Sequence, residues 1–429
     1  MNKEILANDL INFINESPSA FNAVDTMRKR LLSAGFEEVK LTDKWNIKKG
    51  GKYFFDKNGS AILAFVVGMG EVETDGFKII ASHSDSPGFK VKPSPYMKSN
   101  NYVKLNTEVY GGPILNTWFD RPLSLAGRVT IKSDNVLKPI NKVVDFKKPI
   151  LVIPNLAIHL NRNVNDGATI NKQIDTLPIL GLINEGLDKD YLEKEISKNL
   201  NINSKDILDY ELFLYPVEKG SIIGLNNEFI SSARLDDLAM AHASLEAIIN
   251  SKPSDATNVF ICFDNEEIGS STKQGGDSKI LYHALERISI CLGKNREDFL
   301  RSIENSFMIS ADLAHAVHPN KAEKHDPVLH PVLNGGPVIK VSASGSYTSD
   351  SFSSSVYKSI CKKVNVPYQM FANRSDARGG STLGPISSTQ IEINTVDIGT
   401  PILSMHSSRE LCGVKDHEYI TKTFTYFYK

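Results

Sequence analysis

Two adjacent carboxylates, Glu266 and Glu267, close an apolar run, Asn258-Val-Phe-Ile-Cys-Phe-Asp264-Asn-Glu266-Glu267, that stops at Gly269. Neighbouring side chains on an extended segment point to opposite sides. One carboxylate of such a pair can hold a metal ion while the other stays free to move a proton. The pair alone is a common solvated surface feature. A second site gives it weight: Ile79-Ile80-Ala-Ser-His83-Ser-Asp85 is another apolar run, ending in a potential ligand with a carboxylate two residues on. The pattern recurs in Phe307-Met-Ile-Ser-Ala-Asp312-Leu-Ala-His315 and in Pro401-Ile-Leu-Ser-Met-His406. Arg234-Leu-Asp236-Asp237 precedes a predicted helix, where an aspartate also makes a good cap. Two histidines, two aspartates and a glutamate at strand ends would make the mixed nitrogen and oxygen shell that suits a pair of zinc-like ions.

Such residues converge only if the strands share an edge. Apolar strands are predicted at 61–67, 77–81, 259–263, 306–311, 367–371 and 391–398, alternating with helices at 238–250, 280–292 and 351–364. Helical spacing of Ile5, Leu6, Leu10, Ile11, Phe13 and Ile14 predicts a first helix, and 20–32 a second. This alternation predicts an α/β fold with a mostly parallel or mixed sheet and flanking helices, whose carboxyl edge gathers ligands. From about Val91 to Gly224 the texture changes to short segments of period two, such as Tyr102-Val-Lys-Leu-Asn-Thr-Glu-Val-Tyr110. The expected organisation is a catalytic unit of residues 1–90 plus 225–429, interrupted by a mainly β insertion of residues 91–224.

Composition narrows the function class. The 429 residues carry a net charge of -1 and are 41% hydrophobic and 23% charged. That balance gives no basic footprint for nucleic acid and no cationic face for a membrane. Four scattered cysteines, Cys262, Cys291, Cys361 and Cys412, form no zinc-thiolate knot and indicate a reducing compartment. The first residues lack the apolar core of a signal peptide, so the expected location is the cytoplasm. Gly379-Gly-Ser-Thr-Leu-Gly384 lacks the ending of a phosphate loop and is expected to wall a peptide site. His242, His283 and His417 are expected to be structural or exposed. His318, His325 and His330 crowd one loop without strand-end placement, which argues against metal binding. His159 stays open between a locally satisfied histidine, a group reaching an active site, and a metal ligand.

The blocks His83-Ser-Asp85, Asn155-Leu-Ala-Ile-His159-Leu-Asn-Arg, Ser232-Ala-Arg-Leu-Asp236-Asp237, Asp264-Asn-Glu266-Glu267-Ile-Gly-Ser, Ser310-Ala-Asp312-Leu-Ala-His315-Ala-Val-His318-Pro-Asn320 and Met405-His406-Ser-Ser-Arg-Glu410 follow in order along nearly the whole chain. In them the chain resembles the aspartyl aminopeptidase family, dinuclear zinc peptidases, and within it the bacterial branch. The resemblance implies that His83 and Asp312 hold one ion, Glu267 and His406 another, and that Asp236 bridges them. The ions would be zinc, with cobalt or manganese as alternatives. It further implies Glu266 as general base, Asp85 as the group orienting His83, and His159, His315, Lys340 and Tyr347 on the substrate side. The substrates would be peptides with acidic N-termini. It also implies self-association into dimers through the insertion, and a dodecamer in which His159 enters a neighbour's site. The insertion reads as small to bury a core alone, with Leu151–Ile158 expected to cover itself against a second copy. Two rival readings are a deacylase of N-acyl amino acids and a non-catalytic scaffold. The scaffold reading would predict a lost ligand or a lost Glu266, and all are present.

Overall fold

A computed structural model describes residues 3–183, 190–377 and 379–429. Its centre is a nine-stranded mixed sheet. In spatial order the strands are Glu37–Glu38, Lys52–Lys57, Ala61–Val66, Thr257–Phe263, Phe77–His83, Phe307–Ala311, Asn394–Gly399, Val338–Lys340 and Gln369–Phe371. The four strands from Thr257–Phe263 to Asn394–Gly399 pair in parallel. Antiparallel pairs on either side make the sheet mixed. The central strands are buried on both faces, which explains their continuous apolar reading. Alternation sends Ile62, Ala64, Ile80, Phe260 and Ile309 into one core and Leu63, Phe65, Ile79, Val259 and Met308 into another.

The helix Leu235–Ile249 is buried along nearly its whole length, as its Leu-Ala-Met-Ala-His-Ala-Ser run allows. Its regular helical backbone begins at Leu238, where the periodicity predicts. Asp236 and Asp237 at its start are not helical, and neither caps it. The last predicted strand is shifted, to Asn394–Gly399, because Leu383–Gln390 forms a helix just ahead of it.

Six antiparallel strands form a second sheet, in the order Ile140–Asp145, Leu123–Ile131, Ile207–Pro216, Gly88–Ser99, Tyr102–Tyr110 and Ile179–Leu182. This sheet buries a core of its own, with Phe89, Leu105, Trp118, Leu125 and Leu212 packed together with Leu192 and Ile196 of the helix Tyr191–Leu200. The expectation of a region too small for a core is corrected by that helix, whose two apolar residues complete the packing. Leu151 and Ile153 point into this core, whereas Leu156, Ile158 and Leu160 are exposed. A third, five-stranded sheet runs Ser221–Ile223, Phe229–Ser232, Glu410–Gly413, Pro401–Leu403 and Ala314–His315. No helix among the described residues is long and apolar enough to cross a membrane.

Candidate active site

Parallel pairing brings the carboxyl ends of the central strands to one edge. His83 ends its strand opposite Phe263, and the chain beyond Phe263 turns through Asn265, in left-handed backbone, into the short helical turn Glu266–Ile268. Asp312 follows directly on Phe307–Ala311. From the third sheet come Asp236, after Phe229–Ser232, and His406, in the turn after Pro401–Leu403.

Asp236 lies between the two histidines. Its Oδ1 is 3.5 Å from His83 Nε2 and its Oδ2 is 3.5 Å from His406 Nε2. His83 Nε2 also stands 3.8 Å from Asp312 Oδ1, and His406 Nε2 3.4 Å from Glu267 Oε2. These separations exceed an N–H···O hydrogen bond. They are close to the spacing of about 3.3–3.5 Å between donors that share a tetrahedral ion at about 2.0–2.1 Å. Backbone carbonyls accept from the other ring nitrogens: Asp85 O from His83 Nδ1–H at 3.1 Å, and Gly112 O from His406 Nδ1–H at 3.1 Å. Each Nε2 is thereby directed toward the carboxylates. Asp236 Oδ1 and Glu267 Oε1 are buried without a hydrogen-bond partner.

Charge tells the same story. Burial, with Asp312, Asp85 and Asp236 close by, pushes Glu266 up to about 8, and burial with Asp236 pushes Glu267 well above its ordinary range. Burial opposes charge on His83, yet Asp237, Asp236, Asp312 and Asp85 outweigh it and raise the ring's pKa. The protein's own groups leave the acids in excess. The donor set fits divalent cations, which His83, Asp236, Glu267, Asp312 and His406 would hold.

Behind these residues, three further acids grip backbone amides. Asp237 Oδ2 accepts the His83 N–H at 3.0 Å. Asp85 accepts the N–H groups of Glu266 and Glu267 at 3.1 and 3.2 Å. Its carboxylate also stands 3.4 Å from Nδ1 of His83, the ring that the resemblance implied it orients. Glu410 accepts from the N–H of Asp236 at 3.1 Å and of His406 at 2.8 Å. The strand pairing of Ser232 with Glu410 brings it there. Sequence reasoning gave Glu410 and Asp237 no such role, because accepting backbone amides leaves no spacing signal.

Glu266, His315, Lys340 and Tyr347 line one cleft of about 290 Å³ with Asp236, Glu267, Asp312 and His406, and Gly380, Ser381 and Thr382 wall it as expected. Lys340 is buried, and its ammonium donates to Asp312 O, Leu313 O and Asp312 Oδ2 at 3.0, 3.0 and 3.3 Å. Buried Asp397 accepts from Thr348 N–H and from the hydroxyls of Thr348 and Thr382, tying together the loops that carry Tyr347 and the wall. His159 is exposed and does not line this cleft. His242 and His417 are buried and His283 is exposed. Among the described residues, His318, His325 and His330 do not form a metal-ligating group.

Comparison with known proteins accords with this geometry. Residues 13–428 match the family model described as aminopeptidase I zinc metalloprotease (M18). The chain is 62% identical over 429 residues to the "Probable M18 family aminopeptidase 2" of Clostridium novyi (strain NT), covering 100% of this chain and 99% of that one. The protein in the cryo-EM structure of the Ape4 and Nbr1 complex superposes with a TM-score of 0.94 at 37% identity, over 99% of this chain and 86% of that chain. The S. cerevesiae mApe1 dodecamer gives a TM-score of 0.86 at 26% identity, over 100% of this chain and 97% of that chain. The chain therefore belongs to the M18 family of zinc metalloproteases and is an aminopeptidase.

Proposed function

We propose that this aminopeptidase removes single N-terminal residues from peptides, favours acidic ones, and works with two divalent ions in the site built around Asp236. The observation that carries the reading is the placement of the two Asp236 oxygens, one toward His83 and the other toward His406. Zinc is the assigned metal, with cobalt or manganese as functional substitutes. When bound, the ions supply Lewis acidity, lowering the pKa of water and polarising a peptide carbonyl. Glu266 faces the cleft with its backbone pinned by Asp85. It takes a proton from the attacking water and returns it to the leaving amine. His315 and Tyr347 line the same space and steady the developing oxyanion. Lys340 contributes positive charge for an acidic side chain, although its N–H groups are already engaged by Asp312 and Leu313.

Metal analysis and a panel of Asp-, Glu-, Leu- and Lys-linked reporters test this reading. Near two ions per chain, chelator-sensitive turnover and a preference for Asp or Glu that weakens in Lys340→Ala are the expected results. Full activity in metal-free protein overturns the dinuclear site, and a wild-type preference for Leu overturns the acidic specificity.

The same reading places the enzyme in the cytoplasm, in keeping with its four free cysteines. It also places it in dimers formed through residues 91–224 that gather into a dodecamer. His159 lies beside exposed Leu156, Ile158 and Leu160, which would be covered by a second copy as His159 enters that copy's cleft. Mixed oligomers of inactive Glu266→Gln and inactive His159→Ala subunits are expected to recover part of the activity. No recovery in demonstrably mixed assemblies counts against sharing between chains.

A further inference from the structure

The six-stranded sheet meets the active site of its own chain through one short segment. Where the strand Tyr102–Tyr110 ends, the chain runs Tyr110-Gly111-Gly112, and each residue touches a different part of the site. The Tyr110 hydroxyl donates to Asp85 Oδ2 at 2.8 Å and accepts from Asn265 Nδ2 at 2.9 Å. Asp85 in turn holds the amides of Glu266 and Glu267. Gly111 has φ +67°, and a Cβ there would stand 3.2 Å from Glu267 Cβ and 3.3 Å from its carbonyl oxygen. The backbone needs a glycine here both for its left-handed conformation and for its close approach to Glu267. Gly112 O accepts from His406 Nδ1–H at 3.1 Å, and the Ile114 N–H donates to His406 O at 2.9 Å. His406 is thus held at its ring and at its backbone by one stretch of chain.

We propose that Tyr110-Gly111-Gly112 is a positioning element for the Glu267–His406 half of the metal centre. Through it the inserted sheet sets ligand geometry in cis, apart from any part it plays in assembly. The inference rests on the dinuclear reading above. Hydrogen bonds behind metal ligands fix ring orientation and ligand basicity, and losing one typically changes metal affinity by about 10–100-fold. Tyr110→Phe removes a single oxygen and leaves Asp85 with one donor fewer. Gly111→Ala forces strain at positive φ and crowds Glu267. Gly111→Ala touches neither His83 nor Asp312, and Tyr110→Phe reaches His83 only through Asp85.

The test uses full-length protein and reads metal as well as turnover. Wild type, Tyr110→Phe, Gly111→Ala and Tyr96→Phe are stripped, reloaded with cobalt for visible spectra, and reloaded with zinc for release into a chelator. Tyr96 is the control: it lies in the same sheet, and its hydroxyl serves Leu192 and Glu193, so it reports sheet stability alone. One ion in Tyr110→Phe and Gly111→Ala is expected to leave about 10-fold faster or more, with an altered cobalt spectrum and a fall in kcat larger than any rise in KM. Tyr96→Phe should lower the unfolding midpoint while keeping wild-type spectrum and release. Should Gly111→Ala fail to fold, Tyr110→Phe carries the test. Wild-type spectrum and release in Tyr110→Phe overturn this inference alone. A wild type that takes up only one ion overturns the dinuclear reading, and the inference with it.

Discussion

Two clusters of histidine and carboxylate share the helix Leu235–Ile249, and they make opposite use of the same residue types. In one, Asp9 accepts two hydrogen bonds from Arg30 at 2.7 and 3.0 Å and a third contact from His242 Nε2 at 2.8 Å. His242 Nδ1 lies 3.0 Å from His417 Nε2. In the other, His83 and His406 face Asp236, Asp312 and Glu267 at 3.4–3.8 Å, Lys340 pairs with Asp312 and no arginine among the described residues forms an ion pair with these acids, and buried oxygens of Asp236 and Glu267 lack partners. The first cluster closes its charges within the protein. The second leaves them pointing at a common space. Residue composition therefore does not mark the metal site; what marks it is that carboxylate oxygens left without partners converge on one space, whereas the first cluster leaves the single ring nitrogen His417 Nδ1. By this criterion the Asp9, His242 and Glu246 group holds the fold together.

The sharpest way to break the contrast is to alter the adjacent glutamates. Glu267→Gln removes a charged ligand facing His406 and is expected to cost bound metal and, with it, nearly all turnover. Glu266→Gln should keep the metal and lose about 10²–10⁴-fold in kcat, the usual worth of a general base. Metal content beside turnover separates the two, and the reverse pattern would exchange the roles of base and ligand.

Much of this site was legible because parallel strands convert sequence into geometry. An apolar run with a polar residue at its end places that residue on the sheet's carboxyl edge, and His83, Glu266, Glu267 and Asp312 were read that way. Asp236 and His406 follow the five-stranded sheet, and their convergence depends on its pairing. The groups that aim them left less trace. Tyr110 appears in the sequence only as the last residue of an alternating strand, and Glu410 only as part of a motif. Their partners are backbone amides and a carboxylate distant in the chain, which no local spacing encodes. Lys340 is set on the substrate side by the resemblance alone; the fold engages its ammonium with Asp312 and Leu313. The inserted region's core was missed because the helix Tyr191–Leu200 places only Leu192 and Ile196 in full burial.

Glu410 extends the comparison to the residues behind the ligands. Its two oxygens accept from the N–H of Asp236 and of His406, so one carboxylate sets the spacing between the bridging ligand and a terminal one. In Glu410→Gln one of these amides must face an NH2 donor instead. The fold is expected to survive, with metal affinity lowered about 10–100-fold, as read by chelator competition. Wild-type affinity would show that strand pairing alone fixes the spacing.

The smallest effect probes the closed cluster, where protons take the place of metal. Burial, reinforced by His242, holds His417 well below the ordinary histidine pKa of 6.5. Asp9, Arg30 and Glu246 are the other charged groups of the cluster. His242 Nε2 donating to Asp9 and His417 Nε2 donating to His242 Nδ1 is the neutral arrangement, and it leaves His417 Nδ1 buried and unpartnered. Because the folded pKa is depressed, the unfolded chain binds this proton first. Stability from a neutral His417 is therefore complete above pH about 6.5 and is lost as the pH falls toward the folded value. One such group gives a slope of up to about 1.4 kcal/mol per pH unit. His417→Gln can still donate to His242 but cannot titrate. Its urea-unfolding free energy, measured on metal-free protein between pH 7.5 and 5.5, should fall less steeply than that of wild type. Equal slopes would show that His417 takes up its proton alike in the folded and unfolded states, so that its pKa is not depressed by the fold and the acid sensitivity lies elsewhere.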